Sequence, residues 1–142
     1  MTGRLDPGSG QRPGRSTRQL DATRDALLAT DRHPTADQLH RAVRDRLGRV
    51  SLATVYRNLR KLVAEGSAIE IAVPGQPARF DGRVDPHDHF LCRNCSGLID
   101  VDRARRVSGG RPSIDGNHRV EGWTVLFRGV CDGCATAVGT GD

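Results

Sequence analysis

Aromatic side chains are scarce in this chain of 142 residues, which contains one Trp, one Tyr and three Phe. At this length the chain can bury one modest core or two small ones, and aromatic rings would normally supply much of the buried apolar area. Cores poor in such rings need another source of stability, and a structural zinc ion can supply it.

Long apolar runs are also missing, and the N-terminal residues are polar. Because a membrane-spanning helix or a secretory signal needs such a run, neither is predicted. We expect a cytoplasmic protein that does not associate with membranes. Cysteines in a reducing compartment bind metals more often than they form disulfides, which stay open as the less favoured alternative.

Only four cysteines are present, and they form two Cys-x-x-Cys pairs, Cys92 with Cys95 and Cys131 with Cys134. Four thiolates spaced in this way are typical of a closed, tetrahedral Zn²⁺ site. A redox pair of the thioredoxin kind would open a helix in a βαβ unit, and neither pair has that setting. The pattern predicts one structural zinc ion that joins the two ends of a small domain.

The excess of positive over negative charge is confined to the first part of the chain. Residues 1–85 hold 15 Arg and Lys against 10 Asp and Glu, whereas residues 86–142 hold 7 of each. The whole net charge of +5 therefore lies in the first part. Such a balance is expected where a protein meets a polyanion, and a solvated basic face is the alternative.

Three helices are predicted between residues 16 and 66 from the spacing of apolar residues, the first beginning near Ser16 or Thr17. Thr35 and Gln38 form a capping box for the second helix, and Ser51 caps the third. Two helices joined by a short turn, the second with an exposed Arg, Tyr and Lys face, have the form of a helix-turn-helix.

A β-hairpin is predicted directly after the third helix. Ile69, Ile71 and Val73 alternate as one strand, a turn with two prolines follows, and residues 78–80 return. A hairpin in this place completes a winged helix. The Gly- and Pro-containing segment 81–86 then marks a domain boundary, and a later strand is predicted over residues 120–127.

The chain resembles the ferric uptake regulator family of metal-dependent repressors over roughly residues 16–134. The resemblance rests on His33-Pro-Thr-Ala-Asp37, Ser51-Leu-Ala-Thr-Val-Tyr-Arg-Asn-Leu59, Arg79-Phe-Asp81, His87-Asp-His-Phe-Leu-Cys-Arg-Asn-Cys95 and Gly129-Val-Cys-Asp-Gly-Cys134. It implies an α/β (α+β) fold, with an N-terminal winged helix-turn-helix and a small C-terminal α/β dimerisation domain that holds the four-cysteine zinc site. We expect a flexible basic arm (1–15), a winged-helix DNA-binding domain (16–82), a dimerisation and metal-binding domain (83–134) and a frayed tail (135–142).

The resemblance is greatest with the peroxide-sensing branch, which binds regulatory Fe²⁺ or Mn²⁺ through three His and two Asp. Matching residues in this chain are His33, Asp81, His87, His89 and Asp100. The iron-sensing branch usually has Glu where this chain has Asp81 and Asp100. The resemblance implies a repressor that senses peroxide by iron-catalysed oxidation of His33 and His87. A repressor that senses the iron or manganese level is the alternative.

The chemistry of these five residues agrees with the resemblance, because imidazole and carboxylate ligands suit Fe²⁺ or Mn²⁺. One ion bound to all five would join the DNA-binding domain to the dimerisation domain and couple metal binding to DNA affinity. His40 and His118 have no predicted role. A further metal site of some relatives is not expected, because Pro86 and Gly122-Trp123 replace its histidines.

DNA contacts are predicted from the third helix and the wing of a homodimer. Arginine and lysine side chains there should contact phosphates, while Tyr56 and its helix neighbours reach base edges. A twofold dimer implies double-stranded DNA with a palindromic operator. The family's common Thr-Pro-Gln-Arg is Thr17-Arg-Gln-Leu20 here, a departure at the first helix. The predicted contacts are Ser51, Thr54, Tyr56, Arg57, Arg60, Lys61 and Arg79.

A zinc hydrolase or nucleobase deaminase is the alternative of another class, because these enzymes also combine His with Cys-x-x-Cys. A deaminase needs His-x-Glu and Pro-Cys-x-x-Cys. This chain has His87-Asp-His89 instead, and Leu91 precedes Cys92. Four thiolates on one zinc leave no coordination position for water, so no enzymatic activity is predicted.

Overall fold

Residues 14–103 and 114–138 are described by the structure, which is a computed structural model. The predicted basic arm lies outside this range except for its last two residues. The chain divides into one unit that runs to Thr30 and resumes over Pro34–Arg83, and a second that comprises Asp31–His33 and the residues from Val84 onward. Asp31–His33 thus belongs to the second unit although it stands between two helices of the first.

The first unit contains three helices and a two-stranded sheet, as the sequence predicted. The two strands of this sheet are antiparallel, with Ile69 opposite Asp81 and Ile71 opposite Arg79. The winged helix-turn-helix is confirmed. Its elements are α1 (Arg15–Leu28), α2 (Ala36–Leu47), α3 (Leu52–Ala64), β1 (Ile69–Ile71) and β2 (Arg79–Asp81).

The helix ends show how local sequence fixes these elements. The capping box of α2 is confirmed: the Gln38 N–H donates to Thr35 Oγ1 at 3.3 Å, and the Thr35 N–H donates to Gln38 Oε1 at 2.9 Å. Ser51 Oγ caps α3 by accepting the Thr54 N–H at 3.1 Å. The predicted side-chain cap of α1 is wrong, because the helix begins earlier and its N-cap, Gly14, has no side chain to bond.

Aliphatic side chains fill the core of the first unit, in keeping with the scarcity of aromatic rings. Leu27 of α1, Leu39 of α2 and Leu59 of α3 are at most 1 % exposed. Phe80 of β2 joins this cluster and packs the wing onto the helices. This packing determines which face of α3 is exposed to solvent, because the apolar face of the helix is buried in the core.

The second unit is built on a three-stranded sheet whose middle strand, β3 (Asp88–Cys92), is antiparallel to β4 (Leu98–Val101) and parallel to β5 (Leu126–Gly129). Residues 120–125 were predicted as strand but lie outside β5. Residues 135–138 are helical rather than frayed, and the Thr136 hydroxyl donates to the Asp132 carbonyl at 3.0 Å. The elements are β3 (Asp88–Cys92), β4 (Leu98–Val101), β5 (Leu126–Gly129) and α4 (Asp132–Val138).

The weakly patterned segment between β4 and β5 falls partly outside the described residues, at 104–113, and so does the chain beyond residue 138. None of the helices in the described ranges combines the length and apolar character that crossing a bilayer requires.

Candidate metal centres and DNA-binding face

Three imidazoles of the second unit converge on one carboxylate oxygen. Nε2 of His33, His87 and His89 lies 2.7, 3.2 and 3.4 Å from Oδ1 of Asp100. The ligand atoms of these four residues lie within 4.8 Å of one another. Two ligands on opposite sides of one ion are about 4.2 Å apart when each bond is about 2.1 Å long. Shifts of a few tenths of an ångström would let all four bind one ion.

Strand geometry places three of these four side chains together. His87 and His89 are two residues apart, so their side chains leave the same face. The register of β3 and β4 sets Asp100 directly opposite His89. Nδ1 of His87 lies 2.7 Å from the Asp85 carbonyl oxygen. Since a carbonyl only accepts, Nδ1 carries the proton, and the lone pair of Nε2 faces the cluster.

His33 reaches the cluster through an uncommon backbone conformation. Its φ of 53° lies in the left-handed region, which costs a residue with a Cβ about 1–2 kcal/mol. The imidazole is 3 % exposed, and its ring centroid is 5.1 Å from that of His89. Asp81 is also buried, at the end of β2 in the first unit, where Oδ1 accepts the Arg83 N–H at 2.8 Å. Its part as fifth ligand remains a prediction.

The four cysteine sulfurs form the second cluster, with all Sγ atoms within 4.8 Å of one another. Sγ of Cys95 and Sγ of Cys131 are 3.8 Å apart. Tetrahedral Zn²⁺ with bonds of about 2.3 Å separates its sulfurs by about 3.8 Å, so the cluster fits this ion. The Gly97 N–H donates to Cys95 Sγ at 3.4 Å. The turn between these two residues is tight, because a Cβ atom on Gly97 would lie 3.2 Å from that sulfur.

The thiols of this cluster have unequal proton affinities. Backbone N–H groups of Cys131 and then Cys95 stabilise the Cys92 thiolate and lower its pKa to about 6. Hydrogen bonding with the thiols of Cys131 and then Cys95 raises the pKa of Cys134 to about 12. The Cys92 thiolate therefore forms readily, whereas the neighbouring thiols oppose the formation of the Cys134 thiolate. A divalent cation removes this opposition, because it favours four thiolates together.

Sequence comparison places the chain in a known protein family. The profile described as the ferric uptake regulator family matches residues 12–112, more than half of the chain. The chain belongs to the ferric uptake regulator family. The resemblance drawn from its motifs is thereby confirmed.

Relatives within the ferric uptake regulator family include peroxide-responsive proteins. The peroxide operon regulator of Bacillus subtilis is 32 % identical over 130 residues, which cover 85 % of this chain and 84 % of that protein. The peroxide-responsive repressor of Staphylococcus epidermidis is 29 % identical over 126 residues, covering 84 % and 81 %. The crystal structure of the Campylobacter jejuni peroxide stress regulator superposes with a TM-score of 0.66 at 25 % identity, covering 84 % of this chain and 90 % of that one.

The DNA-binding residues expected for the ferric uptake regulator family lie mostly on the exposed face of α3, opposite the buried Val55, Leu59 and Leu62. At the start of that helix, the Ser51 hydroxyl forms a hydrogen bond with the Thr54 hydroxyl, with 2.8 Å between the two oxygens. Their contact with DNA remains a prediction. The exposed residues of the set are Ser51, Tyr56, Arg57, Arg60 and Lys61, while Thr54 and Arg79 are half-buried.

One buried ion pair in this family member was missed by sequence reasoning. Asp88 lies between His87 and His89, points to the other face of the sheet and is completely buried. Its Oδ1 accepts the Val125 N–H at 3.1 Å and lies 3.5 Å from Nε of Arg103. The Arg103 guanidinium stacks 4.9 Å from the Trp123 ring centroid and donates to the Trp123 carbonyl. Together with the His89 N–H, which donates to the Val125 carbonyl at 3.1 Å, these bonds hold residues 123–125 in place just before the start of β5 at Leu126.

We expect Arg103→Met to weaken Mn²⁺ binding by about tenfold while the protein retains its zinc. Losing the guanidinium leaves a buried carboxylate uncompensated on the strand that carries His87 and His89, and groups that orient ligands typically contribute 10–100-fold to metal affinity. Arg119→Met is the matched control, because that side chain is 90 % exposed. Titration with Mn²⁺ and zinc analysis would test this. Unchanged Mn²⁺ affinity, or parallel loss of zinc, would contradict it.

Proposed function

We propose that the chain is a cytoplasmic, homodimeric transcriptional repressor that binds DNA when a regulatory metal is present and releases it on peroxide stress. The observation that carries this proposal is the convergence of three imidazoles on Asp100. One of them, His33, stands in the chain between α1 and α2 of the DNA-binding unit. An ion bound there therefore acts on the segment that connects two helices of the winged helix-turn-helix.

The two clusters take different metals in this proposal. The four cysteines hold structural Zn²⁺, which stays bound. The His and Asp residues hold exchangeable Fe²⁺ or Mn²⁺, since mixed nitrogen and oxygen ligands suit these harder ions. Asp81 is proposed as the fifth ligand. In this proposal the protein has a closed state that binds DNA. Raising the population of this state from about 1 % to about 99 % requires that the metal bind it more strongly than the open state by about 5.5 kcal/mol, which several ligand bonds can supply.

Peroxide acts through the ligand imidazoles of His33 and His87. When bound, Fe²⁺ supplies the redox chemistry that activates hydrogen peroxide beside these rings. The net change inserts one oxygen atom into a ring C–H bond, and the second peroxide oxygen leaves as water. The modified ring is a poorer ligand, so the site loses affinity for metal and the protein loses affinity for DNA.

The homodimer is supported by an apolar stripe across the sheet of the second unit. Phe90 of β3 lies opposite Ile99 of β4 and Phe127 of β5, so the three side chains share one face. Ile99 is 50 % exposed and Phe127 is 37 % exposed. We propose that a second copy covers this stripe. The resulting twofold symmetry implies a palindromic operator.

Enzymatic activity has less support than regulation. The ferric uptake regulator family consists of transcription regulators rather than enzymes. A zinc hydrolase or deaminase would also need a coordination position for water, and four sulfurs on one ion leave none.

Treating the Fe²⁺-loaded protein with a small excess of hydrogen peroxide should add one oxygen atom to the peptide containing His33 or the peptide containing His87. DNA should be released at the same time. Peptide mass spectrometry and fluorescence anisotropy measure the two effects. The Mn²⁺-loaded protein is one control, and the peptides of His40 and His118, which lie outside the cluster, are a second. If mass and DNA binding both stay unchanged, the protein senses metal level rather than peroxide.

A further inference from the structure

A basic cleft lies where the three helices of the first unit approach one another. It has a volume of about 500 Å³, and its lining includes Arg15 of α1, Arg44 of α2 and Arg49 of the turn before α3. An adjoining hollow of about 350 Å³ adds Arg18. We call these four residues and the space between them the arginine cleft. Sequence reasoning did not find it, because its residues come from three separate segments.

No carboxylate lines the arginine cleft among the described residues. Its four guanidinium groups also form no ion pair with a described residue, in contrast to Arg24, which pairs with Asp21 at 3.0 Å. Like charges gathered around a concave surface repel one another and raise the local concentration of anions. The arrangement favours an anionic ligand that arrives from outside the chain.

The position of the cleft identifies the kind of anion. Ser51 and Thr54, at the first turn of α3, form part of the lining. The next turn of the same helix carries the exposed Tyr56 and Arg57. When a helix occupies the major groove, the phosphates that border the groove lie beside its ends, and guanidinium and helix N-termini are common donors to them. The cleft thus lies where a border phosphate is expected.

We propose that the arginine cleft binds a backbone phosphate of duplex DNA at the edge of the groove that receives α3. This inference rests on the proposed function. It gives α1 and α2 a direct part in DNA binding, through Arg15, Arg18, Arg44 and Arg49. None of these residues belongs to the set predicted on α3 and the wing.

Salt dependence tests this inference directly. Each phosphate neutralised on duplex DNA contributes about −0.9 to the slope of log affinity against log salt concentration. A homodimer has two arginine clefts, so Arg44→Ala combined with Arg49→Ala should make the slope less negative by about 2. Binding at low salt should weaken by about tenfold or more.

The matched control combines Arg41→Ala with Arg46→Ala. Both arginines are exposed on α2 and do not line the cleft, so the change in net charge is the same. A second test pair, Arg15→Ala with Arg18→Ala, removes the α1 side of the cleft and should also reduce the slope. The DNA is a labelled duplex selected from a random library by the Mn²⁺-loaded wild-type protein, and anisotropy is measured across a salt series.

The outcomes separate this inference from the proposed function. A reduced slope for both cleft pairs with an unchanged control slope supports a phosphate in the arginine cleft. Wild-type slopes in the cleft variants, or an equal reduction in the control, would overturn the inference and leave the repressor intact. If the Mn²⁺-loaded wild-type protein selects no duplex, the proposed function fails, and the inference fails with it.

Discussion

Replacing Cys131 with serine should abolish zinc binding and unfold the second unit, while the first unit remains helical. Structural zinc contributes about 10–16 kcal/mol in zinc-finger peptides, which exceeds the total stability of most small domains. The sheet of the second unit is short, with strands of 5, 4 and 4 residues. The stability of the first unit does not depend on the metal, because this unit has a separate aliphatic core, which its three helices and β2 form.

Hydrogen exchange and metal analysis would measure this effect. Zinc should fall from about one ion per chain to none, and protection should be lost in β3, β4 and β5 but kept in α1 to α3. Asp132→Asn is a suitable control, because this exposed residue lies between Cys131 and Cys134 without belonging to the sulfur cluster. A serine variant that keeps stoichiometric zinc, or keeps a protected sheet without it, would refute a structural role for the ion.

Asp100→Ala should remove the Mn²⁺ dependence of DNA binding without loss of zinc. Oδ1 of Asp100 is within 3.4 Å of all three imidazole nitrogens, so the substitution removes the carboxylate oxygen on which they converge. Losing a group that only orients a ligand costs 10–100-fold in affinity, so losing a ligand itself should cost more than about 100-fold.

Asp102→Ala serves as the control, since Asp102 is exposed two residues further along and lies outside the cluster. DNA binding would be measured by anisotropy over a range of Mn²⁺ concentrations, with zinc content determined on the same samples. An Asp100→Ala protein that binds DNA with the wild-type Mn²⁺ dependence would exclude this cluster as the switch.

Local patterns in the sequence predicted the features that depend on neighbouring residues. The capping box of Thr35 and Gln38 and the pairing of cysteines with two residues between them follow from short-range geometry. The alternation of His87 and His89 likewise placed both on one face. Each of these needs only the periodicity of a helix or strand.

Features that depend on distant residues could not be predicted in the same way. The pairing of His89 with Asp100 is set by strand register, and the sequence does not state which residues will lie opposite. The left-handed backbone of His33 and the ion pair of Asp88 with Arg103 each depend on tertiary contacts. Family resemblance supplied the ligand set that local patterns alone left open.

The order of the four cysteines along the chain has a consequence for newly made protein. Cys131 stands 39 positions after Cys92, whose sulfur accepts its N–H. At roughly 5–20 residues per second, the first cysteine pair waits about 2–8 s on the ribosome before the second is synthesised. During that interval its thiols have no complete site, so nascent chains should be more easily damaged by oxidants than finished ones. A cell under oxidative attack would then lose new copies of this protein before it loses old ones.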